Sequence, residues 1–258
     1  MRTEPCGKWV RGFVGDTVVV DTRDPLLFWE DRLPVPFYAV PEGDVADGVL
    51  QPATGEPPRQ PFFFLPQGPV SRWFDVVVGD RRLPHAAWIR EDPALAGRVV
   101  VSWQPGLLDR WLEEDEVVAG HPRDPYHRVD ALPSSRHVTV SVDGTVVADS
   151  HHPVLLFETH LPTRYYLPVE DVVRSAVVPA DTRSHCPYKG DADRYWDVVG
   201  PSGDRLADAA WSYSTPFPAV SEIAGRVAFY NELVDITVDG VPQPRPVSPF
   251  SDAENRPS

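Results

Sequence analysis

The chain has 258 residues and a formal charge of −14 at pH 7, with 30 prolines, eight tryptophans and two cysteines. That length suits one large β domain or two domains of ordinary size, and the spread of prolines disfavours long helices. The acidity excludes nucleic acid and anionic membrane as main partners, because either demands a basic patch and the chain has no basic run. No stretch reaches the roughly 18 apolar residues of a membrane-spanning helix. The opening MRTEPCGKWV has no apolar signal core, and two cysteines far apart make no disulfide framework. A cytoplasmic protein is expected.

In chain order the first signal is a repeat. Shifted by 128 positions and without a gap, Val14 to Asp44 overlays Val142 to Val172, bringing Thr17 onto Thr145, Asp21 onto Asp149, Glu30 onto Glu158 and Tyr38 onto Tyr166. Further on, AAW at Ala86 to Trp88 answers AAW at Ala209 to Trp211, and Gly97-Arg98-Val99 answers Gly225-Arg226-Val227. The copies correspond over nearly their full length, which reads as an internal duplication. Late in the first copy, GLLDRWLEED (Gly106 to Asp115) sets Leu107, Leu108, Trp111 and Leu112 on one side of a predicted helix. The Pro-rich, polar stretch His121 to Ser135 reads as a connection.

In the second copy Val138, Val140 and Val142 alternate with polar residues, Asp143-Gly144 makes a tight turn, and Thr145 to Ala148 returns, the pattern of a β-hairpin. Val154 to Glu158, Arg164 to Leu167, Tyr195 to Val199, Ala209 to Tyr213, Val227 to Tyr230 and Val234 to Val238 read as further short strands. Short helices are expected over Val169 to Val177, after Pro168, and over Ala219 to Ala224. The expected organisation is a degenerate repeat domain over 1–124, a linker over 125–135, a second repeat domain over 136–246 and a disordered tail over 247–258.

The segment TRSHCPYKG, Thr182 to Gly190, holds one of the two cysteines and one of only two lysines, against 22 arginines. A thiol and an ammonium three residues apart in a Pro-stiffened loop suggest chemistry a guanidinium cannot do: Cys186 as a nucleophile with Lys189 or His185 as its charge or base, or Lys189 as the anchor of an anion. The plain alternative is a structural loop with Cys186 packed and Lys189 in a surface salt bridge. Glu158 ends the apolar run VLLFE, and a carboxylate there is costly unless paired. Its expected partners are Arg164 or backbone amides.

Taken together, DGTVVADS, the Glu within LLFET, Arg-Tyr-Tyr-Leu-Pro before EDV, CPYKG, AAWSY and GRVAFY followed by VDITVDG resemble the domain-of-unknown-function family numbered 427, here in tandem. The resemblance spans Arg136 to Pro246 and implies the β-tent architecture of Mss4-like and methionine-sulfoxide-reductase-B-like proteins, in which two antiparallel sheets meet at an angle. The fold expected is therefore all-β with a few short helices, in two tandem β-tent-like domains. The resemblance also sets Glu158 across a pocket from Cys186. Where the second copy has TRSHCPYKG the first has PRQPFFFLPQG, with neither Cys nor Lys, so the first is expected to be a partner or scaffold.

Zinc on paired CxxC motifs, frequent in β-tent relatives, is excluded because the chain has no CxxC. A site assembled from His151, His152, Glu158, His160, His185 and Cys186 is opposed by strand alternation and by Pro153. The nucleotidyltransferase-like label attached to the family lacks a Gly-rich phosphate loop here, and Asp21 with Asp24 or Asp143 with Asp149 are its nearest acid pairs. No metal and no cofactor are expected. The leading expectation is a pocket for a small polar or anionic metabolite in the second domain. Its binding residues would be Glu158, Arg164, Tyr166, Tyr188, Trp211 and Tyr213, with Cys186 and Lys189 as the catalytic candidates. The alternatives are an enzyme of unknown reaction using Cys186 or Lys189, and a non-catalytic interaction module.

Overall fold

The computed structural model describes residues 1–31, 33–58, 62–252 and 256; Arg59 to Pro61 of the first copy's PRQPFFFLPQG therefore lie outside the described residues. The chain divides into two units, Met1–Pro125 and Tyr126–Ser258. Both are antiparallel β structures joined by turns and short 3-10 segments, and no helix among the described residues is long and apolar enough to cross a membrane.

In the first unit a seven-stranded sheet runs, in spatial order, Arg2–Pro5, Leu26–Trp29, Phe37–Pro41, Arg98–Val101, Arg81–Arg90, Val70–Val78, Leu50–Pro52. A four-stranded sheet runs Glu116–Val117, Arg110–Glu113, Val10–Val14, Thr17–Thr22. The second unit repeats this order. Val129–Pro133, Val154–Glu158 and Arg164–Tyr166 form one edge, and a bridge between Leu167 and Val227 joins it to Val227–Phe229, Arg205–Ser212, Arg194–Val199 and Val177–Ala180. Its other sheet runs Val241–Pro242, Asp235–Val238, Val138–Val142, Thr145–Ser150.

Period-2 alternation is what fixes these strands. Val138, Val140 and Val142 are buried while Thr139 and Ser141 are half-exposed, and each valine fully removed from water contributes about 1.5–3 kcal/mol. Asp143 and Gly144 both take positive φ, 48° and 76°, the conformation a two-residue hairpin turn requires. The duplication extends to irregularities. Asp75 and Asp197 sit at bulges in corresponding strands, and each carboxylate accepts the backbone N–H of a residue at φ 50°, His85 at 2.9 Å and Asp208 at 3.0 Å. Trp88 lies opposite Val100 and Trp73, as Trp211 lies opposite Ala228 and Tyr195, so the two tryptophans correspond.

Several expectations are corrected. The overlay is not gapless: Leu27 pairs with Tyr38 but Leu155 with Tyr165, so Tyr38 corresponds to Tyr165, not Tyr166. The loop after Leu161 is one residue shorter than that after Leu33, and the two adjacent tyrosines hide the slip. Glu30 still corresponds to Glu158, since each backbone carbonyl accepts the N–H three residues on, at 3.1 Å. The GLLDRWLEED segment is not a helix; Arg110–Glu113 is a strand paired to Val10–Phe13. Trp111 lies opposite Gly12, where a Cβ would come within 3.0 Å of the Trp111 and Leu108 side chains. Val169 to Val177 holds two 3-10 turns and the start of a strand, and Pro218–Ile223 is a 3-10 segment broken at Val220. Within the expected linker, Val129–Pro133 is a full strand paired to Val154–Glu158. The expected tail begins in order, because Ser248 caps a turn at Pro249–Ser251 and Phe250 meets the Tyr230 ring at 5.8 Å.

Candidate functional site

Glu158 ends its strand opposite Val129, so the chain before Val129 carries His127 past the Glu158 carboxylate. From the other side comes the hairpin Ser184–Cys186 and Gly190–Ala192, whose turn is Cys186-Pro187-Tyr188-Lys189. The Lys189 N–H closes it onto the Cys186 carbonyl at 3.2 Å, and the Lys189 carbonyl accepts from the Phe217 N–H at 2.9 Å. Gly190 leaves the turn at φ 96°, a conformation that side chains rarely adopt. Ser184 Oγ and the Tyr195 hydroxyl, 2.7 Å apart, tie the hairpin to the sheet.

The three groups meet on one carboxylate. Lys189 Nζ donates to Glu158 Oε2, and His127 Nε2 lies 3.0 Å from Oε1. Glu158 and Lys189 are buried and His127 nearly so. Burial alone would push the Glu158 carboxyl up, but the Lys189 ammonium and the hydrogen bonds from His127 and Lys189 outweigh it and hold it at about 2. Burial would lower Lys189, yet the nearby Cys186, Glu158 and Tyr166 raise it above the ordinary lysine value. An ionised carboxylate only accepts, so His127 Nε2 carries a proton. In the neutral ring the lone pair is then on Nδ1, to which no protein group is bonded among the described residues. The Tyr188 ring stacks on the imidazole at 3.9 Å and 15°.

Below this cluster lies an aromatic floor. Tyr166 is fully buried and its hydroxyl accepts from Trp211 Nε1 at 3.1 Å, with the Tyr213 ring 6.5 Å away. Burial raises the hydroxyl pKa of both tyrosines. Cys186 is a half-buried free thiol within electrostatic reach of Lys189.

Not every expected site residue converges. Arg164 does not pair with Glu158; it forks onto Glu232 at 2.6 and 2.8 Å, both groups buried. Arg164 also lies near the faces of Trp211 and Tyr230. By strand pairing Arg164 occupies the place of Phe37, so the buried guanidinium brings its own counter-charge. His185 Nδ1 pairs with exposed Asp191 at 2.6 Å across the hairpin, so the imidazole on Glu158 is that of His127 instead. Sequence reasoning missed His127 because it falls in the stretch read as a connection; it missed Glu232 because that partner lies 68 residues from Arg164. Of the histidines weighed as metal ligands, only His151 joins a potential ligand group among the described residues.

The first unit holds the corresponding carboxylate differently. Arg72 opposite Ile89 matches Arg194 opposite Ser212, which puts Gln67 in the place of Lys189 and Arg90 in that of Tyr213. Glu30 Oε2 accepts the Gln67 backbone N–H at 3.1 Å and Arg90 Nη2 at 3.4 Å, while its Oε1 lies 3.3 Å from Arg90 Nε with neither of those two atoms in hydrogen-bond geometry. Arg90 reaches in over Gly68, where a Cβ would stand 2.2 Å from its guanidinium. Burial dominates here and raises the Glu30 pKa, against Arg90 and the Gln67 N–H. The other lysine, Lys8, is on a different buried acid, Glu113, which also accepts from the Tyr38 hydroxyl at 2.9 Å.

A family model described as "Domain of unknown function (DUF427)" matches the chain twice, over residues 2–113 and 130–240. Comparison with the curated proteins finds no match.

Proposed function

The chain belongs to the DUF427 family in two tandem copies, and on that footing we propose that the second copy binds a small polar molecule at the Cys186–Gly190 turn, with His127 as its proton acceptor. The observation that carries this reading is the Lys189–Glu158–His127 cluster, in which one buried carboxylate fixes the tautomer of an imidazole whose Nδ1 has no protein partner among the described residues. A carboxylate behind an imidazole orients the ring and stabilises the imidazolium that forms when the outer nitrogen takes a proton. The sequence suggested Lys189 and Arg164 as anchors for an anion. Both charges are already balanced, by Glu158 and Glu232. Recognition therefore rests on a ligand O–H or N–H donated to His127, with Tyr188 as a flat wall and Cys186 at the rim.

The enzyme reading draws support from Cys186, a half-buried free thiol beside a buried ammonium, since a nucleophilic cysteine needs access and a neighbouring cation or base. The raised Lys189 pKa argues against its amine as the nucleophile. Two free thiols support a reducing, cytoplasmic setting.

The test is native mass spectrometry of the full chain after incubation with a defined pool of small polar metabolites. An adduct on wild type that is lost in His127→Ala and Glu158→Gln but kept in His185→Ala is the expected result. The same adduct on all of these proteins, or none on wild type, overturns the reading.

A further inference from the structure

A second cluster of chemically capable side chains lies apart from the Glu158 site, at one end of the Val138–Val142 and Thr145–Ser150 hairpin. Thr139 pairs with Asp149 and Val138 with Ser150, so His137 and His151 flank the end of the ladder with Asp149 two residues before His151. The His137 and His151 rings stack at 4.1 Å and 11°. His137 Nε2 is 2.7 Å from Asp149 Oδ1. One donor atom from each of the three side chains lies within 4.8 Å of the others, with His137 half-exposed and Asp149 and His151 exposed.

The duplication supplies a comparison inside the same chain. At the 128-position shift these residues are Trp9, Asp21 and Arg23. Trp9 Nε1 donates to Asp21 Oδ1 at 2.6 Å, and the Arg23 guanidinium lies 4.3 Å from the Trp9 ring centroid. Ring, carboxylate and stacked cap are thus present in both copies, and Trp with Arg satisfies them by packing. The second copy keeps the carboxylate and places an imidazole at both other positions. A tryptophan N–H and a guanidinium have no lone pair to give a metal; two imidazoles do.

We propose that His137, Asp149 and His151 bind one divalent transition-metal ion of the zinc, nickel and copper class. Imidazole and carboxylate suit these borderline ions, whereas magnesium and calcium prefer all-oxygen sets. Ligand bonds of about 2.0–2.2 Å set neighbouring donors roughly 3 Å apart, so His137 and Asp149 already stand near the required separation, and the His151 ring, stacked parallel to that of His137, has to rotate about its exposed side chain to bring a nitrogen to the same ion. Three protein ligands on one side leave the remaining positions to water. A metal on His137 Nε2 takes the place of the hydrogen bond to Asp149, and a neutral ring then carries its proton on Nδ1. The acidic chain favours cation approach.

Titration of the full metal-free chain with Cu²⁺, followed by electron paramagnetic resonance, tests this, with Zn²⁺ and Ni²⁺ by calorimetry. One tight equivalent per chain is expected, with hyperfine structure from two nitrogens. Affinity should fall at least about tenfold in His151→Ala and in Asp149→Asn, as losses at metal-site groups typically do. His185→Ala, which removes another exposed His–Asp pair, should bind like wild type. All three substituted positions, the control included, are at the surface, so folding is not at stake. Equal binding by wild type and His151→Ala, loss in His185→Ala instead, or no tight equivalent in wild type overturns the proposal.

Discussion

Glu30 and Glu158 occupy the same point of the same fold, yet their carboxyls are displaced in opposite directions: burial wins at Glu30 and raises it, while the Lys189 and His127 partners win at Glu158 and hold it at about 2. The backbone around them is alike down to the bulges at Asp75 and Asp197. What differs is the source of the cation. In the first unit Arg90 comes from the strand position of Tyr213 and reaches Glu30 through one long Nη2 hydrogen bond of 3.4 Å; in the second, Lys189 comes from the hairpin turn and makes a closer one. A compact ammonium reaches a carboxylate that a planar guanidinium meets only when its plane is aligned. The chain's two lysines both serve buried acids, Glu113 and Glu158, a use that sets them apart from the many surface arginines.

The largest expected effect is on this difference. Removing the charge in Glu158→Gln leaves Lys189 buried without its counter-ion, and breaking a buried pair from one side costs about 3–5 kcal/mol. Glu30→Gln should cost less, because the charge it removes is one that burial disfavours and Arg90 keeps its bond to the Pro69 carbonyl at 2.7 Å. Chemical denaturation of the full chain, with hydrogen exchange read separately in peptides of each unit, checks both. Equal losses in the two variants would break the contrast.

The second expectation is a split in pH dependence. A depressed carboxyl contributes stability that is fully present above its unfolded value near 4.5 and is lost as pH falls toward 2, so peptides around Glu158 should keep their protection down to about pH 4.5 and lose it as pH falls through that range. A raised carboxyl acts in reverse. Its contribution is present at low pH and is lost as pH rises from 4.5 through the higher folded value, so peptides around Glu30 should hold or gain protection as pH falls from 7 toward 4.5. Hydrogen exchange corrected for its intrinsic pH dependence reads both limbs. Parallel curves for the two regions would contradict the assigned directions.

Much of this architecture is legible in the amino-acid sequence, and the failures have specific causes. Alternating valines with Asp143-Gly144 announce the hairpin because side-chain period and turn chemistry are local. The shared bulge is also readable, since DVV recurs at Asp75–Val77 and Asp197–Val199. Lys189 and Cys186 stand out by scarcity. His127 does not, because a polar, Pro-rich stretch resembles a linker and only strand pairing reveals that Val129–Pro133 belongs to the sheet. Arg164 resembled a free anchor until its distant partner Glu232 was placed. The false helix at GLLDRWLEED arose because a turn bearing Leu107 and Leu108, followed by a strand bearing Trp111, mimics a helical spacing over a single short window.

The smallest expected effect sharpens the comparison at the thiols. Cys6 follows a paired strand, is half-buried, and its sulfur lies 3.9 Å from the Tyr38 hydroxyl. It is therefore a partly protected thiol and serves as the control for Cys186. Cys186 is also half-buried, but it has the Lys189 ammonium within reach. Iodoacetamide should alkylate both more slowly in the folded chain than in the unfolded one. Lys189→Met should slow Cys186 further, because a nearby cation favours the reactive thiolate, and should leave Cys6 unchanged; Lys189→Arg should restore part of the rate, since it returns the charge but not its compact placement. Peptide-resolved mass spectrometry at several times reads each site. If Lys189→Met changes the two thiols equally, the substitution has loosened the chain as a whole. If it changes neither, the ammonium serves Glu158 alone, and the second unit differs from the first in how it buries a carboxylate but not in how it treats a thiol.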